Sequence, residues 1–133
     1  MSDRRPSPPG RLLLWLPLLA GLSASFYLSS RPGSDIPNLM PDFAAHVAEY
    51  AVLGFLVLRV FNRGMSRRPS LRALLLSILF CIGWGVSDEY HQSLVPGREA
   101  SLEDLVSDLV GVLLACGLVT LFRWLWPHQP ARA

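Results

Sequence analysis

"LLLWLPLLAGLSASFYLSS", Leu12 to Ser30, runs for nineteen residues without a charged side chain. A helix of that length rises about 28 Å, close to the ~30 Å hydrocarbon core of a bilayer. Pro17 interrupts the run, but membrane helices tolerate proline where neighbouring groups satisfy the carbonyl it frees. The rival reading is a cleaved secretory signal, because "MSDRRPSPPGR" is a basic start and "SAS" at 23–25 offers small residues. Such signals carry an apolar core of about 7–15 residues. This run is longer and similar runs follow it, so a retained membrane span is expected.

Three more apolar runs follow. Phe43 to Phe61 is interrupted by His46, Glu49 and Arg59; Leu71 to Ser87 has Arg72 at its edge; Leu105 to Trp126 carries Asp108 near its start and Arg123 near its end. The last two are short when taken strictly, since Ala73 to Ser87 and Leu109 to Phe122 hold only fifteen and fourteen uncharged residues. Either alone would suit a buried helix of a soluble protein. In a series of four, with charges near the ends where long side chains reach the interface, they read as spans. The expected fold is all-α: a polytopic membrane protein of four transmembrane helices in a small bundle. The spans are placed at about 12–30, 43–61, 71–88 and 105–126. A membrane domain over 11–126 lies between tails at 1–10 and 127–133.

Composition agrees. Hydrophobic residues make up 51% of the 133 and charged ones 17%, with a mean hydropathy of +0.36, which is high for an ordinary soluble domain. Cys81 and Cys116 both lie inside apolar runs, which points to small core residues and away from a disulfide framework.

The arginines set the expected orientation. Every basic residue is an arginine, and Arg4, Arg5, Arg11, Arg59, Arg63, Arg67, Arg68, Arg72, Arg123 and Arg132 all fall at the N-terminus, the middle loop or the C-terminus. Only Arg31 and Arg98 lie on the other side. The positive-inside rule therefore puts both termini and "NRGMSRRPS" in the cytoplasm. Because the arginines bracket spans and form no aromatic-laced basic face, nucleic acid is not an expected partner.

Nine of the ten acids fall on the opposite, outward half: Asp35, Asp42, Glu49, Asp88, Glu89, Glu99, Glu103, Asp104 and Asp108. Acids barely influence orientation, so topology alone does not gather them. On a helix Asp42, His46 and Tyr50 follow each other at i, i+4 and i+8 with Glu49 beside them, forming one stripe. Asp88, His91 and Gln92 share a face at the end of the third run, with Glu89 adjoining. Asp104 and Asp108 are one turn apart on the fourth, and the small residues Gly111 and Ala115 continue that stripe, allowing close helix approach.

Some of these groups have ordinary work. Pro96-Gly97 is a turn signal. Ser101 followed by Asp104 reads as a capping box, and Glu103 and Glu99 suit capping or solvated positions. Asp108 and Glu49 are different, lying about 6 Å beyond Asp104 and about 10 Å beyond Asp42 along their helices. At such depth an unpaired charge is costly and requires a partner, a proton or a watery cavity. Arg98 is the expected counter-ion, since its fork can bridge two carboxylates.

The chemistry of the cluster is less specified than its place. His46, Glu49, Glu89, His91 and Asp108 offer nitrogen and oxygen donors for a divalent metal, but no tight ligand signature is present. No metal and no cofactor is therefore expected. Paired carboxylates suit acid–base work if their surroundings differ, yet no serine stands in a recognisable triad. The alternative to any site is a buried polar network that locks the helices together.

The residues also carry a resemblance. "DFAAHVAEYAVLGF" (42–55) and "SDEYHQSLVPGREASLEDLVSDLVG" (87–111) resemble the two signature segments of the VanZ-like membrane protein family. The matching positions are Asp42, His46, Tyr50, Leu53 and Gly54, then Asp88, Glu89, His91, Gln92, Pro96, Gly97, Arg98, Asp104, Asp108 and Gly111. The chain departs from the pattern at Phe43, where many members have lysine, and at Asp108, where many have asparagine. The name-giving member is associated with low-level resistance to teicoplanin, a lipidated glycopeptide, so the resemblance implies a multi-pass protein of the bacterial cytoplasmic membrane.

Three functions are expected in order. The first is a non-enzymatic envelope protein whose outward polar site binds or shields against an amphipathic ligand, a lipid head group or a lipoglycopeptide such as teicoplanin. Its binding residues would be Asp42, His46, Glu49, Tyr50, Asp88, Glu89, His91, Gln92, Arg98, Asp104 and Asp108. The second is an intramembrane enzyme modifying an envelope lipid, with Glu89 or Asp88 as base and His46 or His91 as partner. The third is an assembly subunit that meets another copy or another membrane protein through Gly83, Gly85, Gly111 and Ala115. Membrane lipids, and an envelope lipid precursor or lipidated glycopeptide, are the partners these readings imply.

Overall fold

A computed structural model describes residues 8–37 and 39–126. The two tails beyond them, with Arg4, Arg5, His128 and Arg132, lie outside the described residues. Within them the chain is helical: α1 (Pro8–Ser29), a short 3-10 turn (Gly33–Asp35), α2 (Asp42–Phe61), α3 (Leu71–Gln92) and α4 (Leu102–Leu125). All four α-helices contain windows long and apolar enough to cross a membrane. The expected all-helical, four-span fold is what forms. Three ends differ from the apolar runs: α1 begins at Pro8, α3 continues through Asp88, Glu89, His91 and Gln92, and α4 begins at Leu102. Polar residues end a hydropathy run without ending a helix, and Ser101 marks the true start of α4 by accepting from the backbone N–H groups of Glu103 and Asp104, satisfying donors a helix start leaves unpaired.

The bundle is apolar outside and partly polar inside. Leu79 and Leu118 are each 64% exposed, and Leu12, Leu19, Phe55, Leu75 and Leu121 also face outward. In water such a surface would be an aggregation liability, whereas lipid solvates it. The interior holds Leu53, Val57, Leu58 and Val112 together with Ser25, Ser77 and Ser107. The Ser77 and Ser107 hydroxyls donate to the carbonyls one turn back, Ala73 and Glu103, at 2.7 Å each, so neither donor is stranded in the apolar interior. The free cysteines Cys81 and Cys116 are both buried, as their apolar context implied.

α2 is the central helix. It packs most extensively on α4 and also on α3 and α1, while α1 makes only a light contact with α3 and none with α4. Small residues set the α2–α4 spacing. A Cβ on Gly111 would stand 2.4 Å from the Val47 carbonyl oxygen and 2.9 Å from the Ala51 nitrogen, and one on Gly54 would stand 3.1 Å from the Val112 Cα. Two backbones therefore meet directly, as van der Waals packing in membranes favours. A Cβ on Gly83, which the sequence offers as part of a packing face, would meet nothing within 4 Å among the described residues.

The charges separate along the bundle. A basin of about 680 Å³ lined by Arg63, Arg67, Arg68 and Arg72 with Trp15 joins the α2–α3 loop to the start of α1, and Arg68 lies over Trp124 near the end of α4. The carboxylates of α2, α3 and α4 collect at the other end.

Candidate functional site

The site is built from the first turns of α2 and α4 and the last two turns of α3. His46 and Asp108 are its centre. His46 projects from α2 and Asp108 from α4, both buried, and the ring Nδ1 lies 2.9 Å from the Asp108 Oδ1. A carboxylate only accepts, so Nδ1 carries the proton and donates. The other ring nitrogen, Nε2, then turns toward the Asp104 Oδ2 at 3.9 Å. Asp42, exposed one turn before His46, completes a group with His46 and Asp104 whose donor atoms lie within 4.8 Å of one another.

Tyr50 and Gly85 form the floor. A Cβ on Gly85 would stand 3.0 Å from the Asp108 Oδ2 and 3.4 Å from the Tyr50 hydroxyl, so the glycine leaves room for both groups over α3. The Tyr50 hydroxyl is buried without a hydrogen-bond partner among the described residues. Glu49, the neighbour of Tyr50 in sequence, is half-buried and turns to Ser25 of α1. Ser25 in turn accepts from the Trp84 indole N–H at 3.3 Å.

On α3 the polar groups divide. Asp88 accepts from the Gln92 amide at 3.0 Å, and the Gln92 carbonyl accepts from the Arg98 guanidinium at 2.7 Å. The sequence suggested that Arg98 bridges two carboxylates; among the described residues it reaches Asp88 only through Gln92, and His46 is the cation-capable group that carboxylates surround. Glu89 accepts from the Ser101 backbone N–H at 2.8 Å. That bond modifies the expected capping box, because the carboxylate that reaches the N-cap amide comes from α3 and not from Asp104. Asp88 and Glu89 are only 7% and 4% exposed, and each keeps one buried oxygen, Oδ1 and Oε1, without a partner among the described residues.

His91 stands apart. Its ring stacks on Phe26 at 4.6 Å between centroids and its Nε2 lies 2.9 Å from the Ser30 hydroxyl, so it ties α3 to α1 on the flank of the cluster. Of the eleven candidate residues, the structure thus joins Asp42, His46, Asp104 and Asp108 in one group. It places Asp88, Glu89, Gln92 and Arg98 beside them, Tyr50 beneath, and Glu49 and His91 toward α1. Sequence reasoning missed Ser25 of α1 and Ser30 just after it as partners, since no pattern in that segment distinguishes a serine that faces a polar group from one that faces lipid.

An apolar groove of about 340 Å³ opens between α3 and α4, lined by Ile82, Gly85, Val86, Leu102, Leu105 and Val106, with Asp108 among its lining residues. Pro96 and Gly97 lie in the turn between α3 and α4: Gly97 takes φ 77 and the Arg98 N–H donates to the Val95 carbonyl at 3.1 Å. This is the tight turn the dipeptide signals, with glycine where φ must be positive.

No curated protein and no solved structure matches the chain. The family model described as VanZ/LLP1 matches residues 13–123, which spans all four helices and every residue of the cluster, and the chain belongs to that family.

Proposed function

We propose that this VanZ-like membrane protein works in the bacterial cytoplasmic membrane with its acidic end outward, holding the polar part of an amphipathic envelope ligand there. The ligand class is a lipid head group or a lipoglycopeptide such as teicoplanin. The observation that carries the reading is the junction of groove and cluster: the apolar α3–α4 groove has Asp108 in its lining, and Asp108 bonds to His46. An acyl chain along Ile82, Val86, Leu105 and Val106 would bring its head to the carboxylates. The unpartnered oxygens of Asp88 and Glu89 suit hydrogen-bond donors such as amines, amides or sugar hydroxyls, because buried acceptors left alone are costly.

The His46–Asp108 pair favours one alternative. A carboxylate that fixes one ring nitrogen leaves the other as a base, the arrangement an enzyme acting on an envelope lipid would use. Of the two histidines considered for that reading, His46 is the one favoured, since His91 is engaged by Phe26 and Ser30.

Binding of acylated and deacylated teicoplanin to the purified protein in mild detergent separates these ideas. Burying two methylenes contributes about 1.6 kcal/mol, or roughly tenfold, so the acylated form is expected to bind at least about tenfold tighter. Val106→Trp, which fills the groove, should erase the difference. Equal affinities in the wild type would reject the amphipathic-ligand reading.

A further inference from the structure

We propose that Asp42, His46 and Asp104 form a binding site for a divalent first-row transition ion of the Zn²⁺ or Mn²⁺ class at the acidic end of the bundle. The ion would bind at the same acidic end as the proposed ligand, and its binding does not require that ligand.

Three features converge on it. The first is the donor set, in which one imidazole and two carboxylates from two helices have donor atoms within 4.8 Å of one another. Asp42 and His46 are one turn apart on α2, and Asp104 reaches them from the first turn of α4. Donors held by one ion at 2.0–2.2 Å stand about 3.0–3.5 Å apart. The 3.9 Å between His46 Nε2 and Asp104 Oδ2 is too long for a good hydrogen bond, and a small side-chain rotation closes it around a cation.

The second is the orientation of the ring. His46 donates from Nδ1 to Asp108, which holds the ring so that Nε2 is the atom facing Asp104. Metal-binding histidines are characteristically held this way, with a carboxylate on the nitrogen that does not bind the ion. The third is Glu89. It is 4% exposed, and its Oε2 is held by the Ser101 N–H. Its Oε1 is buried without a partner among the described residues, and Asp104, His46 and Asp108 are near enough to act on the carboxylate electrostatically. That oxygen is a further buried acceptor on α3, beside the group.

Each acid has a simpler role on its own. Asp42 and Asp104 lie in first turns, where carboxylates complement the helix dipole. That role does not require both to gather beside a buried histidine, nor does it account for the orphaned oxygen of Glu89. The imidazole nitrogen favours a borderline ion over Mg²⁺ or Ca²⁺, which prefer oxygen-only shells.

The test is titration calorimetry with Zn²⁺ and with Mn²⁺ on the full chain. The protein should be free of an affinity tag, stripped with chelator and held in mild detergent. One equivalent of at least one ion is expected to bind the wild type. Asp42→Asn and Asp104→Asn should each weaken it by about tenfold or more, the size of effect that even an outer partner of a metal ligand produces. Asp35→Asn should leave affinity unchanged, because Asp35 pairs with Arg31 outside the group. Asp42 is exposed at a helix start, so its variant keeps the fold, which circular dichroism verifies. Failure of both ions to bind stoichiometrically, or unchanged affinity in either Asp42→Asn or Asp104→Asn, would overturn the proposal.

Discussion

His46 Nδ1 donates to Asp108 Oδ1 at 2.9 Å across the α2–α4 interface, and within one turn of each residue the two backbones touch at Val47 and Gly111. Fold and site therefore share one contact. The glycine sets the helix spacing, and that spacing brings an imidazole and a carboxylate to hydrogen-bond distance inside an apolar bundle.

The pair should behave as a coupled unit. His46→Leu or Asp108→Leu strands a buried polar partner, at a cost of about 1–3 kcal/mol. The double variant should recover part of that loss, with a coupling of about 0.5–3 kcal/mol in a double-mutant cycle. Asp108→Asn keeps a carbonyl that can accept from Nδ1 and is expected to cost less than either leucine. Additive effects measured by unfolding in detergent would show that the contact contributes nothing.

Glycine positions give a sharp contrast. The atoms crowding a Cβ on Gly111 are backbone, at 2.4 Å and 2.9 Å, and cannot rotate away. Gly111→Ala is expected to destabilise by about 1–3 kcal/mol, the range for overpacking. Gly83 has open space, so Gly83→Ala should be neutral or stabilising by up to about 1 kcal/mol through helix propensity. Equal melting temperatures for the two variants would contradict the α2–α4 geometry.

The start of α4 is held twice, by the Ser101 side chain within α4 and by Glu89 from α3. Ser101→Ala should cost about 1 kcal/mol, as for other caps. Glu89→Ala strands the Ser101 N–H and should cost about 1–3 kcal/mol, whereas Glu89→Gln retains an acceptor and should stay near the wild type. Hydrogen exchange at the first turn of α4 distinguishes them: it should speed up in both alanine variants and not in Glu89→Gln.

Much of this was legible in the sequence. The four spans follow from apolar runs, and the α2 stripe of Asp42, His46 and Tyr50 follows from spacing alone. Helix ends were less so, because hydropathy falls at Asp88 while backbone hydrogen bonding continues to Gln92. His91 is the instructive case. At about 100° per residue it lies at the edge of the face that buries Gly85, Asp88, Glu89 and Gln92, and only the position of α1 decides where that edge points. The convergence of Asp42 and Asp104 on His46 was hidden for a similar reason, since residues about sixty positions apart meet through packing that spacing does not encode.

The most direct measurement is thermal unfolding of the wild type against Asp88→Asn, Glu89→Gln and Asp104→Asn, singly and together, in mild detergent with chelator present. Each substitution keeps its side chain's shape and an acceptor oxygen while removing charge. If the acids are gathered to receive a ligand, their mutual repulsion is stored in the free protein, and neutralising them should leave the melting temperature unchanged or raise it. A large loss of stability in the single variants would mean that the cluster chiefly holds the helices together, and would contradict the binding-site account.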